Sequence, residues 1–135
     1  AVSAGAGALR GLGVNRGVPT ATCVAHAEVI ALASATQAVG AFTLDGRDAT
    51  LVATAEPCAM CLGAVGWSGV VRLVCAAADA DARAIGFDEG DKPAAWQDQL
   101  RARGVQVVEH VHRRRAAAAL RRYVDEGGVV YNGAG

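Results

Sequence analysis

Two short stretches, His26-Ala27-Glu28 and Pro57-Cys58-Ala59-Met60-Cys61, constrain this chain more than any other feature. His26, Cys58 and Cys61 carry metal-donor side chains, and Glu28 is a carboxylate two residues from the first of them. One imidazole and two thiolates suit a zinc ion that keeps its fourth position open. Pro57 favours a helix start, because its missing N–H is harmless in a first turn. Cys58 and Cys61, three apart, then lie on one helical face, and the free amides of a helix start stabilise thiolates. The fold must bring this segment face to face with the one at His26.

Each element alone has an ordinary explanation. A single His near a helix start is usually structural, and a C-x-x-C is often a redox pair or half of a zinc site. A thioredoxin-like pair would leave His26, Glu28 and Glu56-Pro57 without a role. A structural zinc site would close with a fourth protein ligand, for which Cys23 and Cys75 are the candidates. Cys75 sits in an apolar run and reads as a core thiol. Cys23 reads as a small residue near a helix start. The combination therefore favours one zinc ion in an open site, with Glu28 unligated and free to move protons.

The rest of the chain supplies strands and helices around these stretches. Residues 1–3 and 8–14 read as two short strands about a turn at 4–7, and 15–19 as a Gly/Pro loop. Thr20 and Thr22 offer caps for a helix over 24–39, with His26 and Glu28 near its start. A turn follows at 45–48, then a strand over Thr50–Ala55 rich in β-branched residues. The second motif helix ends at Trp67-Ser68-Gly69. Residues 70–76 and 105–109 read as strands; 79–84, 94–103 and 112–125 read as helices, and 129–133 as a tail. Strands alternating with helices predict an α/β protein with helices over a mixed sheet, in one domain over 1–135. The chain begins at Ala1 inside an apparent strand, so an N-terminal segment carrying a first helix is expected to precede it.

Charge narrows the partners. Thirteen basic and thirteen acidic side chains cancel, which argues against non-specific nucleic-acid binding. Arg113-Arg114-Arg115 and Arg121-Arg122 read as the solvated face of a late helix. No apolar run reaches the roughly 18 residues of a membrane span. Without a secretory-type segment in view, the four cysteines read as metal binding before disulfides, and a cytoplasmic setting is expected.

The text A-H-A-E-V, then T-A-E-P-C-A-M-C-L-G-A-V-G-W, then D-A-D-A-R-A-I-G-F-D-E resembles the cytidine deaminase-like superfamily, and within it the bacterial guanine deaminases and related nucleoside deaminases. The zinc motif H-x-E…P-C-x-x-C is a known signature of zinc-dependent nucleobase deaminases. The resemblance implies a three-layer α/β/α fold around a central mixed five-stranded sheet. It implies zinc held by His26, Cys58 and Cys61, with Glu28 taking a proton from water and returning it to the ring and the leaving amine. Asn15 would hydrogen-bond the base, the backbone at Ala27 and at 55–56 (Glu56) would line the pocket, and Trp67 would wall it. Asp88 and Glu89 match an acidic pair that would contact the base edge or assist proton transfer. Tyr131 would act as a lid, in a homodimer that exchanges C-terminal segments in some members. The implied reaction is hydrolytic deamination of a small amino-purine or related amino-heterocycle, guanine to xanthine first. The alternatives are tRNA adenosine, cytosine, nucleoside, pterin or triazine deamination, or an inactive zinc-binding relative.

Overall fold

Alternation of apolar residues along the strands sets the layering of the protein. The computed structural model describes residues 1–5 and 7–132. In chain order it runs β1 (Val2–Ala4), β2 (Ala8–Gly11), α1 (Ala27–Val39), β3 (Thr50–Ala55), α2 (Ala59–Trp67), β4 (Arg72–Ala77), α3 (Asp79–Arg83), α4 (Trp96–Ala102), β5 (Gln106–Val108) and α5 (Arg113–Asp125). The expected turn at 4–7 and tail at 129–133 each include a residue, 6 and 133, that lies outside the described residues.

The five strands form one sheet in the order β2-β1-β3-β4-β5. β1 runs antiparallel to β2 and β3, whereas β3, β4 and β5 are parallel. The sheet is therefore mixed, as expected. Leu51, Ala53, Leu73 and Cys75 are buried on one face, in register across β3 and β4. There Leu51, Leu73 and Cys75 join a core with Leu32 and Ala35 of α1, Leu62 and Val65 of α2, and Trp96 and Leu100 of α4. Burying a Leu of this kind contributes about 1.5–3 kcal/mol. On the opposite face Val52 stays 46% exposed and α5 packs against β4. The result is the helix–sheet–helix layering that the resemblance implied.

Two glycines let α1 lie directly on the start of the chain. A Cβ on Gly11 would stand 2.2 Å from the Ala31 carbonyl oxygen, and one on Gly13 would stand 2.0 Å from that of Ala27. Both distances are impossible for any other residue, so Gly11 and Gly13 serve close packing, whereas Gly5 and Gly7, at φ 59° and 83°, serve the turn.

Several boundaries differ from expectation, β4 and α4 among them, which start at Arg72 and Trp96 rather than 70 and 94. β2 stops at Gly11 rather than 14. α1 begins at Ala27 rather than 24, because residues 16–25 fold into consecutive turns. The Thr20 and Thr22 amides donate to the carbonyls of Arg16 and Gly17, each at 3.0 Å, and Ala21 has φ 50°. The Thr20 hydroxyl donates to the Arg16 carbonyl at 2.7 Å instead of capping a helix. α2 begins two residues after Pro57. The basic run at the start of α5 is also not wholly solvated: Arg113 donates in a two-pronged pair to Asp81, at 2.8 and 3.1 Å. Among the described residues no helix is long and apolar enough to cross a membrane.

Candidate metal centre

The site forms just beyond the carboxyl end of β3, where the starts of α1 and α2 face each other. His26 is the N-cap of α1, in extended conformation (φ −69°, ψ 153°), and its ring makes no capping bond. Cys58 is the N-cap of α2 in similar geometry (φ −65°, ψ 172°). His26 Nδ1 lies 3.4 Å from Cys58 Sγ and 3.7 Å from Cys61 Sγ. The three donor atoms lie within 4.8 Å of one another, close enough to hold one metal ion. Cys75 donates instead to the Val108 carbonyl at 3.8 Å, and Cys23 is exposed. Neither belongs to the converging group, so both keep the non-ligand readings made from sequence.

The electrostatics suit a soft cation. The Cys61 thiol donates to Cys58, which pushes Cys61 up and Cys58 down to about 5; the Cys61 and Met60 amides at the start of α2 also lower Cys58. A thiolate is thus favoured at neutral pH before any metal arrives, as helix-start amides predict. Glu28 is the second residue of α1, with Oε2 3.5 Å from Cys61 Sγ. Burial pushes its carboxyl up, its own backbone N–H opposes this, and the Cys58 sulfur adds to the rise. A raised pKa suits a group that must accept a proton and later release it.

Around this centre the structure collects some of the anticipated residues and not others. Asn15 uses both ends of its amide: Oδ1 accepts from the Gly17 N–H at 3.0 Å, and Nδ2 donates to the Tyr131 hydroxyl. The Tyr131 ring stands edge-on to His26 with centroids 6.3 Å apart, and it rests on Phe87 at 5.5 Å. The tail thus reaches its own chain's site. Asn132 pins it there: its amide oxygen accepts from the Asp88 N–H at 2.8 Å and its amide nitrogen donates to the Gly86 carbonyl at 2.9 Å. Ala27 is half-buried beside His26, and the Glu56 N–H donates to the Ala77 carbonyl at 2.9 Å.

Glu89 and Asp88 separate. Glu89 is half-buried, and its carbonyl accepts from the Ala59 N–H at 2.9 Å. The Asp88 side chain is 58% exposed and bonds the Gly90 N–H at 2.8 Å, so it shapes the loop and does not join the site. Trp67 is a correction. It closes α2, about 13 Å along the helix from Cys58 at 1.5 Å per residue. It is 79% exposed and borders a separate groove with Trp96 and Arg103. An aromatic nine residues from a ligand on the same helix cannot wall that ligand's pocket. Sequence reading missed Lys92, Phe87 and Asn132. Their contacts span long separations and carry no local pattern; only Asn132's place beside Tyr131 hinted at a role.

Burial, with the charge of Cys58 adding, pushes the Glu89 carboxyl up to about 7. Its ordinary value, 4.5, applies in the unfolded chain. Between these values the unfolded chain releases this proton while the folded chain keeps it, so stability falls as pH rises through that window. Glu89→Gln removes the effect. After chelator treatment the variant is expected to melt higher than the parent at pH 8, with little difference at pH 4. A melting difference independent of pH would contradict this reading of Glu89.

Comparison with known proteins adds the relatives. A family model described as the cytidine and deoxycytidylate deaminase zinc-binding region matches residues 2–77. The guanine deaminase of Bacillus subtilis is 39% identical over 94 residues, which cover 65% of this chain and 59% of that protein. The chain thus spans about three fifths of that curated relative. A crystal structure of a variant of NE0047 in complex with 8-azaguanine superposes with a TM-score of 0.91 at 44% identity, covering 94% of this chain and 72% of that one. A structure of guanine deaminase from Nitrosomonas europaea is 48% identical with a TM-score of 0.80, covering 82% of this chain and 63% of that one.

Proposed function

Because the chain belongs to the family of the cytidine and deoxycytidylate deaminase zinc-binding region, we propose that it is a zinc-dependent hydrolytic deaminase of a small amino-purine, with guanine, converted to xanthine and ammonia, as its first substrate. The observation that carries this reading is the convergence of His26, Cys58 and Cys61 with an unligated carboxylate beside them. The donor set fits zinc: one imidazole nitrogen and two sulfurs, one of them already biased to thiolate. Zinc held there supplies a Lewis acid that makes water a nucleophile near neutral pH.

The chain's own residues do the rest. Glu28 takes one proton from the attacking water and passes it to a ring nitrogen; it then takes the remaining proton from the hydroxyl of the tetrahedral adduct and delivers it to the exocyclic amine, which leaves as ammonia as the C–N bond breaks and the carbonyl forms. Asn15 presents an amide carrying both donor and acceptor, which suits a purine edge. Glu89, half-buried beside the centre, holds or moves a second proton at that edge. The backbone at Ala27 and Glu56 forms part of the pocket wall. Guanine is placed first because the proteins that support the reading include guanine deaminases and a relative holding 8-azaguanine. The absence of net charge argues against a tRNA substrate.

Tyr131 acts as the lid. Its hydroxyl meets the Asn15 amide that a base would use, so it must shift as substrate enters and then cover it. Tyr131→Ala is expected to raise KM about tenfold with a smaller change in kcat, as loss of a closing element does; an unchanged KM would remove the lid. The homodimer expected from the resemblance is tested by sedimentation equilibrium, and a monomeric mass at micromolar concentration would count against it. The substrate reading is tested by ammonia release from zinc-loaded protein with guanine, guanosine, adenine, cytosine, cytidine, a pterin and an amino-triazine. Guanine is expected to give the highest kcat/KM. A higher value for any other compound would move the assignment to that compound.

A further inference from the structure

Behind the metal centre lies a charge cluster that the chemistry above does not use. Glu56, Glu109 and His110 bring ligand-type atoms within 4.8 Å of one another, which at first suggests a second cation site. The cation is already there. Lys92 Nζ stands 3.3 Å from Glu56 Oε2 and 2.8 Å from Asp79 Oδ1, and the Lys92 and Glu56 side chains are each only 8% exposed. Glu109 is engaged as well, accepting from Gln97 at 2.9 Å. A divalent ion would have to enter beside a buried ammonium, which like-charge repulsion in a poorly solvated place opposes.

What Lys92 joins is more informative. Glu56 is followed directly by Pro57 and the ligand Cys58. Asp79 opens α3, whose Arg83 pairs with Asp79 at 2.6 Å and donates to the Gly90 carbonyl at 3.0 Å. Lys92 itself lies three residues after Glu89, whose carbonyl receives the Ala59 N–H at the start of α2. Gly90 sits so close to this helix start that a Cβ on it would lie 3.1 Å from the Ala59 Cβ. The loop bearing Glu89 is therefore tied to the ligand-bearing segment at two points, one of them a buried ammonium between two carboxylates.

We propose that Lys92 is a positioning residue: its ammonium clamps the loop 88–92 against Glu56 and thereby holds Glu89 at the substrate edge of the metal centre. This deepens the deaminase reading and rests on it for the role of Glu89, while the clamp itself is a property of the fold. Glu56 in turn has its side chain assigned: it anchors the clamp and leaves only its backbone to the pocket.

The test compares zinc-loaded parent, Lys92→Met, and the double variant Lys92→Met/Glu56→Gln, which removes the buried carboxylate that the single variant leaves unpaired. Three readouts are taken: melting temperature, hydrogen exchange at the Ala59 amide, and kcat and KM with guanine. Lys92→Met is expected to keep one zinc per chain, to speed exchange at Ala59 at least about tenfold, and to lower kcat/KM about 10- to 100-fold, mainly through KM, the range seen when supporting partners of a metal site are removed. The double variant is expected to recover melting temperature without recovering Ala59 protection or KM. Recovery of all three together would show that Lys92 serves general stability and would overturn the proposal, as would unchanged Ala59 protection in Lys92→Met. If the parent releases no ammonia, the deaminase reading fails, and the Ala59 exchange still decides the clamp.

Discussion

Glu28→Gln is expected to retain one zinc per chain and to lose turnover by about a thousandfold or more, within the range found for removal of a positioned acid–base group. The variant keeps the size and hydrogen-bonding shape of the side chain but cannot accept a proton. Nothing in the ligand set changes, because Glu28 lies beside the three donors and is not one of them. The fold should not suffer either. Burial pushes the Glu28 carboxyl up, so its ionised form costs stability at pH values above its ordinary pKa, and a neutral amide removes that cost. The expected signature is thus a variant that is loaded with zinc and inactive and that, after chelator treatment, is at least as stable as the parent near pH 7. Such a trade of stability for chemistry is common at active sites. Turnover within about tenfold of the parent would exclude Glu28 as the proton carrier.

Cys58→Ala should fail differently, by losing the metal. Apparent binding energies of four-ligand structural zinc sites are about 10–16 kcal/mol. Divided among four ligands, that is roughly 3–4 kcal/mol each, or on the order of 10²- to 10³-fold in affinity per ligand. Removing Cys58 leaves His26 and Cys61. It also frees Cys61 from the hydrogen bond that pushes its thiol up, so the remaining sulfur becomes easier to ionise but has fewer partners. Zinc measured after dialysis against a weak chelator should fall well below one equivalent, and turnover should fall with it. The fold should survive, since the core cluster that joins Leu51 of β3, Leu73 of β4 and Leu62 and Val65 of α2 includes none of the three ligands. Full zinc occupancy in this variant would mean that the ligand set is wrong.

The sequence was most legible where chemistry or packing is local. β3 runs over Thr50–Ala55 as read, because a β-branched apolar run between turns has few alternatives. The pairing of His26 with Cys58 and Cys61, across thirty-two and thirty-five residues, was legible for another reason: those residue types have one common use when a carboxylate stands beside them. Helix starts were harder. α1 begins at Ala27 because the turns over 16–25 use Thr20 to bond the Arg16 carbonyl, and a threonine's preference for caps cannot be told in advance from its preference for turns. Trp67 was misplaced because a motif match carries residue identity and not helix length: the C-terminal end of α2 points away from its N-cap. Asp88 and Glu89 were read as a pair, yet adjacent residues in a turn face different ways, and only Glu89 faces inward. Lys92 meeting Glu56 and Asn132 meeting Asp88 depend on contacts 36 and 44 residues apart, which no periodicity reports.

In the proposed reading, the lid at Tyr131 and the clamp at Lys92 act on the same loop. Phe87 and Asp88 receive the tail, the Gly90 carbonyl accepts from Arg83 at the end of α3, and Lys92 pairs with Glu56 before α2 and with Asp79 at the start of α3. On that proposal, substrate choice rests on segments 86–92 and 129–132 more than on the metal ligands, which would serve any amino-heterocycle equally.

The joint action of His26, Cys58, Cys61 and Glu28 in releasing ammonia from guanine is the core of the proposed function. It is tested most directly by incubating the zinc-loaded protein with guanine and measuring ammonia and xanthine together, with Glu28→Gln alongside. One ammonia and one xanthine are expected for each guanine consumed, catalytically and with the variant at background. A folded protein carrying one zinc that forms no more xanthine than Glu28→Gln would contradict it.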